Sequence, residues 1–383
     1  MKKMKTITVI ELNDINGYPP VQTLIRVLLN KGYRVNLIGR NIAKISTDIA
    51  ENKNYVGYET TKFSVINTKI QAAVNRVYMI KQSRKLLRSL GSKSDYIWTT
   101  SMKSIQILGK SVLNYKNILQ LMELAEHGYL VLDRYIKFPI NEIAQLSWKT
   151  VVPEINRAYI QKVWWNLPKC PAVLPNKPYS NDFGDITVEL KAVIQRMQAE
   201  KRKILLYLGS LESDRDLEQL ASAINNNKEY VLYIAGKAYS IESQKRVEDL
   251  ENKYGCIYVG GFNPPKHLAI VKYAYIGLLP YRPTKFGSLS ILNALYCAPN
   301  KIWEYSGYGV PMVGSDVLGL KLPFEQWNIG CCCDLNDEGS IMKAIEEVDR
   351  RHDVMSKNCY KFYNSVDLEM IVSDILEENH VGG

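Results

Sequence analysis

Pro299-Asn300-Lys301-Ile302-Trp303-Glu304-Tyr305-Ser306-Gly307-Tyr308-Gly309-Val310-Pro311-Met312-Val313-Gly314-Ser315-Asp316 is the stretch on which the reading of this chain turns. It predicts a proline-started helix, a glycine exit and a short apolar strand. Pro299 suits a first helical turn, where its missing N–H would be an orphan anyway. Gly307 and Gly309 are expected to take the left-handed conformation that ends a helix, and Pro311 forbids continuation. One carboxylate, Glu304, follows about a turn past a helix start that favours anions. A diphosphate at the helix start with its ribose hydroxyls on Glu304 would use both features.

The stretch resembles the donor-binding motif of family 4-like glycosyltransferases in its Pro-Asn-Lys-x-x-Glu-Tyr variety, followed by Gly-x-Pro and a small apolar strand. The resemblance spans most of the C-terminal half. Leu205–Gly209, Tyr233–Gly236 and Ile257–Gly261 look like three strand-and-glycine turns in the family's order, and Ile276–Tyr281 like the strand entering the donor loop. The N-terminal half matches more loosely. The implied fold is α/β, two Rossmann-like domains facing each other across a cleft (GT-B).

Bulk properties agree with that size and class. A chain of 383 residues is too long for one ordinary core, and 46% hydrophobic with 23% charged residues is the balance of a globular protein. No run approaches the roughly 18 apolar residues of a spanning helix. The basic start Met1-Lys2-Lys3-Met4-Lys5 is read as leading into a first strand rather than a signal peptide, because Glu11, Asn13 and Asp14 interrupt the apolar run. The seven cysteines are odd in number and lack metal-type spacing, so no metal or redox role is expected. Small buried residues of a reducing cytoplasm are the plain reading.

Charge is unevenly placed. Residues 1–150 carry 23 Lys/Arg against 10 Asp/Glu, a balance of +13, which leaves 26 of the 49 basic and 29 of the 39 acidic residues to the remainder, a balance of −3. An anionic partner for the N-terminal half follows. The candidates are an anionic bilayer surface, a lipid-phosphate acceptor and nucleic acid; nothing resembles a nucleic-acid module, so no nucleic acid is expected and the membrane surface leads.

Alternating strands and helices predict parallel sheets with right-handed crossovers. The first strand is Thr6–Leu12 and the next Tyr33–Gly39, with later ones at 55–58, 63–66, 96–100, 118–122 and 150–152. Ile70–Leu90 reads as a basic amphipathic helix, suited either to a membrane interface or, in the favoured reading, to packing its apolar stripe on the sheet with its charges outward. The expected organisation is an N-terminal acceptor domain over 1–166, a proline-rich linker over 167–180 and a nucleotide-sugar-binding domain over 181–360. Residues 361–383 form a last helix that, by the resemblance, crosses back to the N-terminal domain.

Glu304 is the leading site residue, since a carboxylate accepts from a vicinal diol such as a ribose. Lys301 could steady phosphate charge, and Asn300 could donate to a phosphate or sugar hydroxyl. Gly209 opens a loop that carries Arg215, a candidate for bidentate phosphate contact, with Lys237 after Gly236 as its alternative. Gly261 lies where such folds bind the base. On the N-terminal side Glu123 and His127 follow an apolar strand, and these enzymes often aim a Glu or His from there at the transferred sugar. A structural histidine is the competing reading for His127. Asp14 and Gly17 occupy the first β–α loop. One departure stands out: Tyr296 holds the position where related proteins often have a second glutamate.

The expectation is therefore a glycosyltransferase moving a sugar from a UDP- or GDP-sugar donor to an acceptor hydroxyl. The acceptor would be a lipid-linked glycan, glycolipid or surface polysaccharide precursor. Retention of configuration, no metal and no cofactor beyond the donor are implied by the resemblance, with action in the cytoplasm or peripherally on the inner membrane face. The competing readings are a nucleotide-sugar epimerase and a catalytically silent GT-B subunit that binds a partner or glycan.

Overall fold

The computed structural model describes residues 4–63, 68–126, 129–133, 136–209, 211, 217–238, 240–284 and 289–377, the side chains of 129–138 excepted. The chain forms two compact units, one of Met1–Pro175 with Asp367–Gly383 and one of Asn176–Val366.

The first unit is built on strands β1 (Thr6–Asp14), β2 (Arg34–Arg40), β3 (Tyr55–Glu59), β4 (Tyr96–Thr100), β5 (Asn117–Gln120), β8 (Lys149–Val152) and β9 (Ala172–Val173). They pair in parallel in the order β3-β2-β1-β4-β5-β8-β9. Residues 7–12 of β1 are buried without a break, as a strand covered on both faces requires. The Pro19–Asn30 helix begins on two prolines and stops before Gly32 at φ +79°. Two strands that the pattern did not predict, β6 (Tyr129–Asp133) and β7 (Ile136–Pro139), form an antiparallel pair apart from the main sheet. Of the strand predicted at 63–66, residues 64–66 lie outside the described residues.

The basic helix spans Lys69–Gly91, closed at its start by Thr68 and Gln71 in a reciprocal capping box. The favoured packing needs correction. Ile70, Val74 and Val77 stay exposed, and the inward side carries Asn75, Met79, Ser83, Leu87 and Leu90.

The second unit carries β10 (Lys203–Leu208), β11 (Tyr230–Ala235), β12 (Ile257–Tyr258), β13 (Ile276–Leu279), β14 (Met312–Ser315) and β15 (Gly330–Cys333). Its parallel order β12-β11-β10-β13-β14-β15 reverses between β10 and β13. Such a reversal opens a crevice at the carboxyl ends of the strands, where ligands bind in doubly wound sheets. Cys331, Cys332 and Cys333 lie in β15, and burial pushes the thiols of Cys332 and Cys333 up to about 12. They are therefore protonated and poor nucleophiles at neutral pH.

After Val366 the chain rejoins the first unit through the Leu368–Leu376 helix, which packs on the Pro19–Asn30 helix. Its last turn is pinned by Tyr96, whose hydroxyl donates to the Leu376 carbonyl at 2.7 Å. Lys149 Nζ donates to the carbonyls of Asp374 (3.0 Å) and Glu377 (2.8 Å).

Candidate functional site

Three glycine turns end β10, β11 and β12 of the second unit side by side. Gly209 N donates to the Ala235 carbonyl and Gly236 N to that of Gly260, each at 2.9 Å. A methyl on Gly236 would overlap the Gly209 carbonyl oxygen, and one on Gly261 would overlap Lys237 and the Gly236 backbone. Gly209 sits at φ +141° and Gly260 at φ +80°, conformations that L side chains rarely adopt. Of these four glycines Gly260 has open space where a side chain would stand, so bare backbone is presented there, while the other three are packed against the neighbouring turn or a lysine.

The Asn300–Ser306 helix borders that edge. Pro299 is its cap residue, with extended dihedrals, rather than part of its first turn. The glycine exit also differs from expectation: Gly307 stays right-handed at φ −63°, and Gly309 alone takes the left-handed turn at φ +68°. The helix is fixed to the sheet by Tyr305. Its hydroxyl donates to the Leu206 carbonyl (2.7 Å) and accepts from Leu208 N (3.2 Å), bridging the backbone of β10 just before Gly209. A methyl on Gly277 of β13 would come within 2.5 Å of the Tyr305 ring, so the missing side chain there makes room for it. Asn176 Nδ2 braces the helix start through the Ala298 carbonyl (3.0 Å), and Asn181 Nδ2 its end through that of Gly307 (2.6 Å).

So anchored, the helix sends Lys301 over the first glycine turn, where a Cβ on Gly209 would stand 2.7 Å from Nζ. Glu304, one turn on, is 6% exposed. Its Oε1 meets His267 Nε2 at 3.1 Å. Burial alone would raise the Glu304 carboxyl. His267 and Lys301 more than offset that and hold it below the usual carboxylate range. An ionised, acceptor-only group thus waits beside a cation and a glycine-lined edge.

His267 lies in the 3-10 helix Lys266–Tyr273, which the chain enters from the Gly260-Gly261 turn. The sequence reading passed over it. The available signal was a histidine opening a helical segment just after the third strand-and-glycine turn. Tyr305 stands in the same motif, but its anchoring role depends on the position of β10, which the sequence does not show. Lys237 Nζ donates to Asn263 Oδ1 beside Gly261. The structure thus brings together Gly209, Lys237, Gly261, Asn300, Lys301 and Glu304 along one sheet edge. Arg215 lies outside the described residues. Tyr296 ends the short Ile291–Leu295 helix just before the motif.

In the first unit the carboxyl ends of β1 and β4 flank another reversal of strand order. Glu11 is fully buried there and accepts from Asn13 N (2.8 Å), Asn13 Nδ2 (2.8 Å), Ser101 Oγ (3.0 Å) and Thr100 Oγ1 (2.8 Å). Burial raises its carboxyl despite these four donors. Ser101 holds φ +66°, a costly conformation for a residue with a Cβ. The Tyr18 hydroxyl is pushed up to about 12 by burial and then by Glu11 and Glu123, which places Glu123 toward this same cluster. Gly17 is the exposed end of the turn Ile15–Gly17, whose Ile15 is buried, and has open space where a side chain would go. His127 lies outside the described residues.

No known protein-family profile matches the chain, and no curated protein matches it. Solved structures do. A sucrose-phosphate synthase from Thermosynechococcus elongatus superposes with a TM-score of 0.70 at 14% identity, over 97% of each chain. HepE from Anabaena, solved in complex with UDP, gives 0.66 at 10% identity, over 97% of this chain and 98% of that one. A putative UDP-N-acetylglucosamine 2-epimerase from Listeria monocytogenes gives 0.60 at 11% identity, over 97% and 95%. The chain has the GT-B fold.

Proposed function

We propose that the chain is a glycosyltransferase that moves a sugar from a nucleotide-diphosphate sugar, with UDP or GDP as carrier, to an acceptor hydroxyl. One observation carries the reading: Lys301 and Glu304 are presented by a single anchored helix beside the glycine edge of the second unit. An ionised carboxylate suits a ribose hydroxyl, a lysine suits a diphosphate, and the bare backbone at Gly260 suits close approach by both. The UDP bound to HepE, which shares the fold, supports this choice of ligand.

In this reading Glu304 takes the ribose, and Lys301 with Asn300 takes the diphosphate and sugar. Arg215 or Lys237 adds a second cation, while Gly209 and Gly261 admit the phosphates and base. The cationic side chains offset the leaving diphosphate, so the transfer needs no metal. The anomeric configuration is retained, and Glu123 and His127 serve the reacting sugar from the first unit. The acceptor is a lipid-linked glycan or polysaccharide precursor, met at the inner membrane face through the basic first unit. The domain limits proposed are 1–166, 181–360 and a returning helix within 361–383.

The test is a panel of UDP- and GDP-sugars against wild type and Glu304→Ala, read by calorimetry and by product analysis. Binding of one nucleotide, lost in the variant at unchanged melting temperature, is expected, with slow donor hydrolysis. An isomerised donor formed without acceptor would replace the transferase by an epimerase. Absence of any nucleotide binding would leave only a silent binding subunit.

A further inference from the structure

We propose that the outward face of the Lys69–Gly91 helix docks the chain on an anionic lipid bilayer. This deepens the reading of a lipid-held acceptor by naming the surface, and it stands on residues remote in sequence from the donor site.

The helix uses its inner side against its own unit. Asn75 on that side accepts from Lys62 N (3.0 Å) and Phe63 N (2.9 Å) and donates to the Phe63 carbonyl (2.8 Å), clamping the preceding strap. Opposite runs the stripe Ile70, Val74, Val77, Lys81, Arg84, Arg88, spaced alternately by four and three residues and about 27 Å long. Its first two turns are aliphatic and bare: Ile70 is 77% and Val77 53% exposed, with Val74 at 37% between them. Single exposed aliphatics are ordinary, but three in register form a patch that water disfavours.

The rest of the stripe is cationic, and of its members Arg84 also donates Nε–H to the Ile107 carbonyl of its own unit at 3.1 Å. Between Glu59 and Asp95 the sequence holds eight Lys/Arg and no Asp or Glu. All eight are exposed, and among the described residues none is ion-paired. Neighbouring cations on one helix repel each other, and a negative surface turns that cost into attraction. A bilayer satisfies both halves of the stripe at once: aliphatic side chains enter the acyl boundary while lysines and arginines meet headgroup phosphates. A nucleic acid would use the cations but leave the aliphatics wet, since its bases stack on aromatic rings.

The experiment is co-sedimentation of the full chain with phosphatidylcholine vesicles, with and without phosphatidylglycerol. Wild type is expected to bind the anionic vesicles and to be released from them in part by about 0.5 M salt. The triple variant Lys81→Gln, Lys85→Gln, Arg88→Gln, all exposed positions, should partition about a hundredfold more weakly. Ile70→Ser with Val77→Ser should weaken binding without altering charge, leaving a residue fully released by salt. Equal binding to neutral vesicles, wild-type affinity in the triple variant, or binding to RNA but not to vesicles would overturn the proposal. Nucleotide titration of the same variants keeps the two readings apart: docking without nucleotide binding defeats only the donor site, and nucleotide binding without docking defeats only this surface.

Discussion

Glu304 Oε1 and His267 Nε2 stand 3.1 Å apart in the second unit, both side chains largely withdrawn from water. The pair engages one oxygen of the carboxylate and leaves the other, Oε2, to receive a hydroxyl. His267→Ala should therefore weaken nucleotide affinity by about tenfold, the scale of one charge-assisted hydrogen bond, with His267→Gln recovering part of it. Calorimetric titration with UDP and GDP measures this, and equal affinity in wild type and His267→Ala would remove His267 from the site.

The same pair sets an acid limit on stability. The Glu304 carboxyl is held below its ordinary value in the folded state, so its contribution is present above the unfolded value near 4.3 and is lost as pH falls through the lower folded one. Wild type should lose stability on acidification below about pH 4.5 more steeply than Glu304→Gln. Urea unfolding at a series of pH values checks the slope.

Tyr305→Phe removes a hydroxyl that both donates to and accepts from the β10 backbone. The buried Leu208 N and Leu206 carbonyl lose that partner, at about 1–3 kcal/mol. Since the same ring fixes the helix that carries Lys301 and Glu304, nucleotide affinity should fall together with the urea midpoint. Gly277→Ala should repeat the effect by pushing on the ring.

Gly236→Ala puts a methyl onto the Gly209 carbonyl oxygen. No side-chain rotation relieves a clash with backbone, so the variant should lose on the order of 3 kcal/mol and bind no nucleotide. Gly17→Ala, with open space and an ordinary backbone, should change stability by less than about 0.5 kcal/mol. The contrast, read by thermal denaturation, tests whether glycine at the second-unit edge is a steric requirement.

In the first unit, Glu11→Ala would leave the donors on Asn13, Thr100 and Ser101 without their common acceptor. A loss of about 2–4 kcal/mol in urea unfolding is expected.

The sheets were legible because buried parallel strands write themselves as largely apolar runs, as in Ile204–Leu208 and, broken only by Thr8 and Glu11, in Ile7–Leu12. Glycine turns after such runs also located the second-unit edge. Pairing was not legible. His267 lies 37 positions from Glu304, and only the fold brings them together. Nor was the direction of the Lys69–Gly91 helix: Asn75 faces inward because its amide clamps the Lys62-Phe63 backbone, and Ser83 is buried on the same side, against the apolar periodicity. Gly307 and Gly309 both offered a left-handed exit from the motif helix; Gly307 caps it with right-handed dihedrals and the left-handed turn falls two residues later, at Gly309.

The return of the Leu368–Leu376 helix has a consequence for biosynthesis. The first unit is discontinuous in the chain, since residues up to Pro175 are completed by a segment that follows the whole second unit. On the ribosome, Tyr96 and Lys149 must wait for the carbonyls of Asp374, Leu376 and Glu377, while 176–366 emerges as an uninterrupted segment. The second-made unit can therefore finish folding first, and the unit begun earliest is sealed last.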